Sequence, residues 1–75
     1  MVQKQQQDPS PSLAILRLPA VKARTGLSRS TIYLRVSEGS FPRPVSLGGR
    51  AVGWVEADIQ GWLEQRVEAS RKAAE

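Results

Sequence analysis

The sequence predicts a mainly α fold with one small β-hairpin: two short helices around a tight turn, a hairpin beside them, and a longer third helix. Three observations predict it. The stretch Gly26 to Gly39, GLSRSTIYLRVSEG, carries the start and stop signals of a short helix directly behind a glycine turn. Residues 45–54 read as two short strands around Gly48-Gly49. Beyond residue 54 the apolar residues return at helical spacing. A chain of 75 residues holds one such domain plus tails. A core of this size buries only roughly 60% of the unfolded surface.

Residues 1–12, MVQKQQQDPSPS, are polar, Gln-rich and broken by proline, the composition of a disordered N-terminal arm. They lack the apolar stretch of a signal peptide. The folded domain is expected over residues 13–69, with residues 70–75 as a C-terminal tail. Leu13, Ile15, Leu16 and Leu18 begin the apolar content and lead into the fold. Pro19 suits the first position of a helix, where its missing amide is no loss. The first helix is therefore predicted from Pro19 to Thr25, ending at Gly26, with Val21 as its clearest core contact.

The second helix is predicted from Arg29 to about Ser37. Ser28 is its N-cap, because a hydroxyl there accepts a bond from an otherwise unpaired first-turn amide. Leu27 before the cap and Ile32 four places after it have the spacing of a hydrophobic staple. Gly39 supplies the left-handed residue that commonly ends a helix. Gly26 fits the tight turn between two angled helices.

Phe41-Pro42-Arg43-Pro44 is too rich in proline to be helical and forces an extended path. The hairpin then follows, with Gly48-Gly49 as its two-residue turn. In that register Val45 faces Val52, and Leu47 and Trp54 share an apolar side. The other side carries Ser46, Ala51 and Gly53. The third helix is predicted from about Glu56 to Ala69, with Val55, Ile59, Trp62, Leu63 and Val67 forming one apolar stripe. Glu56 and Asp58 near its start and Arg66 to Lys72 near its end both suit the helix dipole. Trp54 and Trp62 read as core aromatics that close the hairpin and third helix over the second helix.

Composition removes whole classes of chemistry. The chain has no cysteine and no histidine, so disulfides, thiolate nucleophiles and the usual zinc ligands are missing together. A catalytic base would have to come from seven scattered carboxylates, and Glu56 and Asp58, two apart on a helix, do not share a face. An enzyme is not expected, nor is a cofactor or a metal. No apolar run approaches the ~20 residues that cross a bilayer. A reducing, cytoplasmic setting is the expectation.

Charge is distributed unevenly. From Arg17 to Gly53 seven basic residues (Arg17, Lys22, Arg24, Arg29, Arg35, Arg43, Arg50) face one acid, Glu38, a local balance of +6 within a net charge of +4. The basic excess thus surrounds the two short helices and the hairpin, as a phosphate-binding surface requires. A solvated basic face that only aids solubility is the bland alternative.

A helix-turn-helix places its second helix in the major groove, where each base pair shows a distinct edge. At about 100° per residue, Ile32 and Val36 point to the core. Ser30, Leu34 and Ser37 then point away, with Thr31 and Tyr33 on the flanks, where Tyr33 presents its hydroxyl to the DNA backbone or packs half-buried. Ser28 and Arg29 lie at the end that usually meets base edges. A guanidinium there pairs bidentately with guanine or clamps a phosphate. Leu34 is placed to meet a thymine methyl or to fill the groove, and an exposed leucine without a role is nearly as good a reading. Arg35 lies nearer the core, its stem packing while its head snorkels outward to a phosphate or to a neighbouring carboxylate. Arg43 and Arg50 bracket the hairpin, and Gly49 lets the backbone approach DNA closely. Arg24, at the end of the first helix, is a further phosphate candidate. Four arginines on phosphates imply a slope of log affinity against log salt near −3.6, on the order of −0.9 for each.

Taken together, Gly26-Leu27-Ser28-Arg29-Ser30-Thr31-Ile32-Tyr33, Glu38-Gly39, Phe41-Pro42-Arg43-Pro44-Val45, Leu47-Gly48-Gly49-Arg50-Ala51-Val52-Gly53-Trp54, Asp58-Ile59 and Trp62-Leu63 resemble the prophage AlpA-type regulators. These belong to a broader winged-helix group that includes MerR-like DNA-binding domains and phage excisionases. The likeness covers about residues 17 to 67. It departs from the usual pattern at Leu34-Arg35, where the basic and apolar positions are exchanged, at Ser40 and Ser46, which are often basic, and at Val55, which is often polar. The resemblance implies a winged helix-turn-helix and a DNA-binding transcription regulator of a phage or integrated element, acting at the bacterial nucleoid on double-stranded DNA. An excisionase needs the same fold. From another class, a protein-binding adaptor for a recombinase or RNA polymerase would use Glu64–Glu75 as its contact helix. No long heptad run follows the domain, so several copies on repeated sites are a better expectation than a coiled-coil dimer.

Overall fold

A computed structural model describes residues 13–74; the arm expected over residues 1–12 lies outside the described residues. The order of elements is β1 (Ile15–Leu16), α1 (Leu18–Thr25), α2 (Arg29–Glu38), β2 (Val45–Gly48), β3 (Ala51–Val55) and α3 (Glu56–Ala74). The result is mainly helical with a small antiparallel sheet of order β1-β3-β2.

The two short helices form where their end signals lie. Gly26 closes α1, its amide donating to the Lys22 carbonyl at 2.8 Å. The Ser28 hydroxyl accepts from the Thr31 amide at 3.2 Å and caps α2. At the other end Gly39, with φ of 80°, takes the left-handed conformation that L side chains resist. Its amide donates to Val36 O at 3.1 Å and that of Ser40 to Arg35 O at 3.0 Å, which satisfies two carbonyls the helix would leave unpaired.

The strand β1 was not legible as a strand; Ile15 and Leu16 read only as a lead-in. They pair with the last residues of β3, Ile15 opposite Val55 and Leu16 opposite Trp54. The Ala14 carbonyl then accepts the Glu56 amide at 2.8 Å, so the chain entering the fold caps α3. Val55, expected in the helical stripe, belongs to this sheet instead.

The hairpin differs from expectation in register. Val45 lies opposite Gly53, Ser46 opposite Val52, and Gly48 opposite Ala51, with an irregularity between Ser46 and Gly48. The turn is therefore Gly49-Arg50, not Gly48-Gly49. One extra residue on β2 makes the difference. Leu47 is that extra residue, and Gly48 beside it, at φ of 106°, donates its amide to the Ser46 hydroxyl at 3.3 Å. A one-residue slip moves side chains to the opposite face. Leu47 and Val45 consequently lie on the far side of the sheet from Trp54, 43% and 37% exposed.

Gly53 explains why this register is tolerated. A Cβ at that position would collide with Ile15 Cγ2, lie 3.0 Å from the Leu16 carbonyl oxygen and 3.3 Å from Leu47 Cδ1. Its bare backbone is the floor on which β1 and Leu47 rest. Gly53→Val should cost about 1–3 kcal/mol through forced displacement of β1, read as a lower urea midpoint. A midpoint equal to wild type would show that β1 gives way freely.

The core is small. Val21 from α1, Ile32 from α2, Phe41 from the connecting segment, Trp54 from β3 and Ile59 from α3 are buried, and Leu16, Leu18, Leu27, Tyr33, Val36, Trp62 and Leu63 pack around them. Both indoles hold the proline-rich connection. Trp54 Nε1 donates to Pro42 O at 2.9 Å, and Trp62 Nε1 to Ser40 O at 2.8 Å. Phe41 meets the Trp62 ring edge-on, with centroids 4.8 Å apart. On α3 the buried stripe stops at Leu63, and Val67, expected within it, is exposed. The helix itself continues to Ala74, five residues past its expected end, because Ala69 to Ala74 contains no glycine or proline and places Arg71 and Lys72 in the last turn.

Candidate nucleic-acid interface

The outward face of α2 is formed as its periodicity requires. Ile32 is fully buried, and Ser30, Leu34 and Ser37, displaced around the helix, are all exposed. Leu34 is 56% exposed on that row, a large apolar side chain with no place in the core. Ser37 donates its hydroxyl to the Leu34 carbonyl at 2.7 Å, which folds it back onto the helix.

At the N-terminal end of α2 the hydroxyls are coupled. Ser28 donates to Thr31 Oγ1 at 3.0 Å and lies 3.3 Å from the Ser30 hydroxyl, while its oxygen also caps the helix. Its first duty is thus to the helix end. Arg29 is exposed, and its guanidinium carbon lies 5.3 Å from the centroid of the Tyr33 ring. Tyr33 is half-buried and meets Trp54 edge-on, centroids 6.0 Å apart at 62°.

The arginines divide into two kinds. Arg24 donates from Nη1 to Glu56 Oε2 at 3.1 Å and from Nη2 to Gln60 Oε1 at 2.9 Å. Gln60 in turn donates to Glu64 at 3.0 Å. Arg24 thus joins a ladder of exposed polar side chains on α3 in the DNA-free chain. Glu56, Gln60 and Glu64 recur every fourth residue, a helical row visible in the sequence, but nothing local in the sequence links it to Arg24 on α1. Arg29, Arg35, Arg43 and Arg50 are different. Among the described residues Arg24–Glu56 is the only ion pair, so these four guanidinium groups have no carboxylate partner there. The structural pair considered for Arg35 is not formed among the described residues.

Arg43 is exposed on the proline-rich connection, and Gly49 and Arg50 form the exposed tip of the hairpin. Gly49 has φ of 58°, the positive value required at the first position of a tight hairpin turn. Arg50 follows it directly. A planar guanidinium without an internal partner offers a rigid fork of donors to an oxyanion or to the edge of a base. Among the described residues no group of three or more His, Cys, Asp or Glu side chains could hold a metal, and no helix is long and apolar enough to cross a membrane.

Comparison with known proteins adds a second line. Residues 14–67 match the family described as prophage CP4-57 regulatory protein (AlpA). Over 61 residues the chain is 44% identical to the DNA-binding transcriptional activator AlpA of Escherichia coli (strain K12), an alignment that covers 73% of this chain and 87% of that protein. Over 57 residues it is 47% identical to the uncharacterized protein ORF88 of Enterobacteria phage P4, covering 76% of this chain and 64% of the phage protein. The chain thus spans slightly less than two thirds of that phage relative.

Proposed function

The chain belongs to the AlpA family of prophage regulatory proteins, and from that premise we propose that it is a sequence-specific transcriptional regulator acting on double-stranded DNA. In this reading α1 and α2 form a helix-turn-helix, α2 enters the major groove, and the β2–β3 hairpin is a wing of the MerR-like kind. Arg50 at the wing tip meets the backbone or the minor groove, and Arg43 and Arg35 meet phosphates. The observation that carries the reading is the surface of α2. Its outward row is exposed, and a carboxylate-free guanidinium stands in its first turn. The activity named for the Escherichia coli relative supports it.

Selection of bound fragments from a genomic DNA library, followed by footprinting, tests this directly. A defined site should be enriched. Arg29→Ala should then lose discrimination at one base pair, at a cost of about 1–3 kcal/mol. Arg50→Ala should weaken all sequences evenly, as a backbone contact does. Enrichment of no sequence would remove the reading.

A second reading draws on the outer part of α3, where Glu64 to Ala73 is exposed and Val67 is 46% exposed. Such a helix suits an adaptor or excisionase that engages a recombinase or polymerase. Capture of that partner in the absence of DNA distinguishes it.

A further inference from the structure

Of Arg29, Arg35, Arg43 and Arg50, Arg29 is the one that rests over an aromatic ring among the described residues. Its guanidinium rests over the Tyr33 ring, one turn along α2, at 5.3 Å from the centroid. That ring is fixed in turn by Trp54, which is wholly buried and tied through its indole N–H to the Pro42 carbonyl at 2.9 Å. A chain of contacts therefore runs from the core to the surface: the indole meets the phenol ring edge-on, and the guanidinium lies over that ring. No carboxylate among the described residues competes for Arg29.

We propose that Tyr33 is a positioning residue that presets the Arg29 guanidinium for base recognition, and that Tyr33 itself reads no base. This inference rests on the DNA-binding reading and deepens it. The physical reason lies in the arginine side chain. A free arginine samples many rotamers, and a bidentate contact with a guanine edge requires one of them. Attraction between the cation and the π-face restricts the side chain before DNA arrives, so less freedom is lost on binding. Arg29 is exposed and has no carboxylate partner among the described residues, so its N–H groups are not taken up by an ion pair. The sequence places Arg29 and Tyr33 four residues apart on one helix, and the Trp54 anchor turns that spacing into a fixed platform.

The test is a double-mutant cycle on the selected DNA site, with single-base-pair variants of the site and random DNA as competitors. Tyr33→Phe, which keeps the ring and removes only the hydroxyl, should bind as wild type. Tyr33→Leu, which keeps apolar bulk against Trp54, should lose about two- to fivefold in affinity for the site. The same loss should appear in discrimination at the base pair that Arg29 reads, with random-DNA binding and the salt slope unchanged. In an Arg29→Ala background, Tyr33→Leu should have no further effect. Independently of DNA and of the leucine variant's folding, the Arg29 δ protons of the wild-type protein should resonate upfield under the Tyr33 ring. A loss of affinity in Tyr33→Phe, an additive cycle, or unshifted Arg29 δ protons would overturn the inference while the DNA-binding reading stands. Wild-type protein that binds no site would overturn both.

Discussion

Trp54→Ala should leave the domain largely unfolded at room temperature. A buried tryptophan truncated to alanine costs about 3–5 kcal/mol, because the cavity only partly collapses. At on the order of 0.05–0.15 kcal/mol per residue, a folded unit of this size has about 3–9 kcal/mol in total. The loss is thus comparable with the whole stability. Trp54 has no accessible surface, it contacts Tyr33 on α2, and it lies opposite Leu16 on β1. Its indole also satisfies the Pro42 carbonyl, which holds the segment between α2 and the hairpin. Urea titration followed by far-UV circular dichroism measures the effect. Trp54→Phe, which keeps most of the ring but leaves Pro42 O without its donor, should lose less. Trp62→Ala should be milder still, since Trp62 is only partly buried. A Trp54→Ala midpoint equal to wild type would mean that the core does not depend on the indole.

How far the sequence could reach follows from which interactions are local. Both ends of α2 were legible, because a serine cap and a glycine stop act within one turn and leave residue-type signatures at Ser28 and Gly39. The buried positions of Val21, Ile32 and Ile59 were equally legible from helical periodicity. The strand β1 was not. Two residues are too few to show alternation, and Ile15 and Leu16 become a strand only because β3 offers them an edge some forty residues later. The hairpin register failed for a related reason. Gly-Gly supports a turn at either of two positions, and the choice is made by the bulge at Leu47 and by the space over Gly53 that Ile15 and Leu47 need. For the candidate site, exposure of Ser30, Leu34 and Ser37 could be read from a helical wheel. The division of the arginines could not, because the partner of Arg24 lies 32 residues away on α3.

That division changes the expected salt dependence of DNA binding. With four arginines on phosphates the slope of log affinity against log salt would be near −3.6, at roughly −0.9 for each phosphate neutralised. If Arg24 keeps its contacts with Glu56 and Gln60 on DNA and Arg29 meets a base edge as proposed, Arg35, Arg43 and Arg50 remain for the backbone. The expected slope is then near −2.7 per protomer, so a fourfold rise in salt should weaken binding about 40-fold. Single replacements separate the roles. Arg43→Ala and Arg50→Ala should each bring the slope to about −1.8, because each removes one phosphate contact and its released counterion. Arg24→Gln should leave the slope at its wild-type value and act only through stability, by a few tenths of a kcal/mol to about 1 kcal/mol for a surface pair. A slope that falls with Arg24→Gln would mean that DNA draws Arg24 away from Glu56. Salt-independent binding would count against any phosphate-contacting surface, because counterion release follows from the contacts themselves and not from the sequence they help to read.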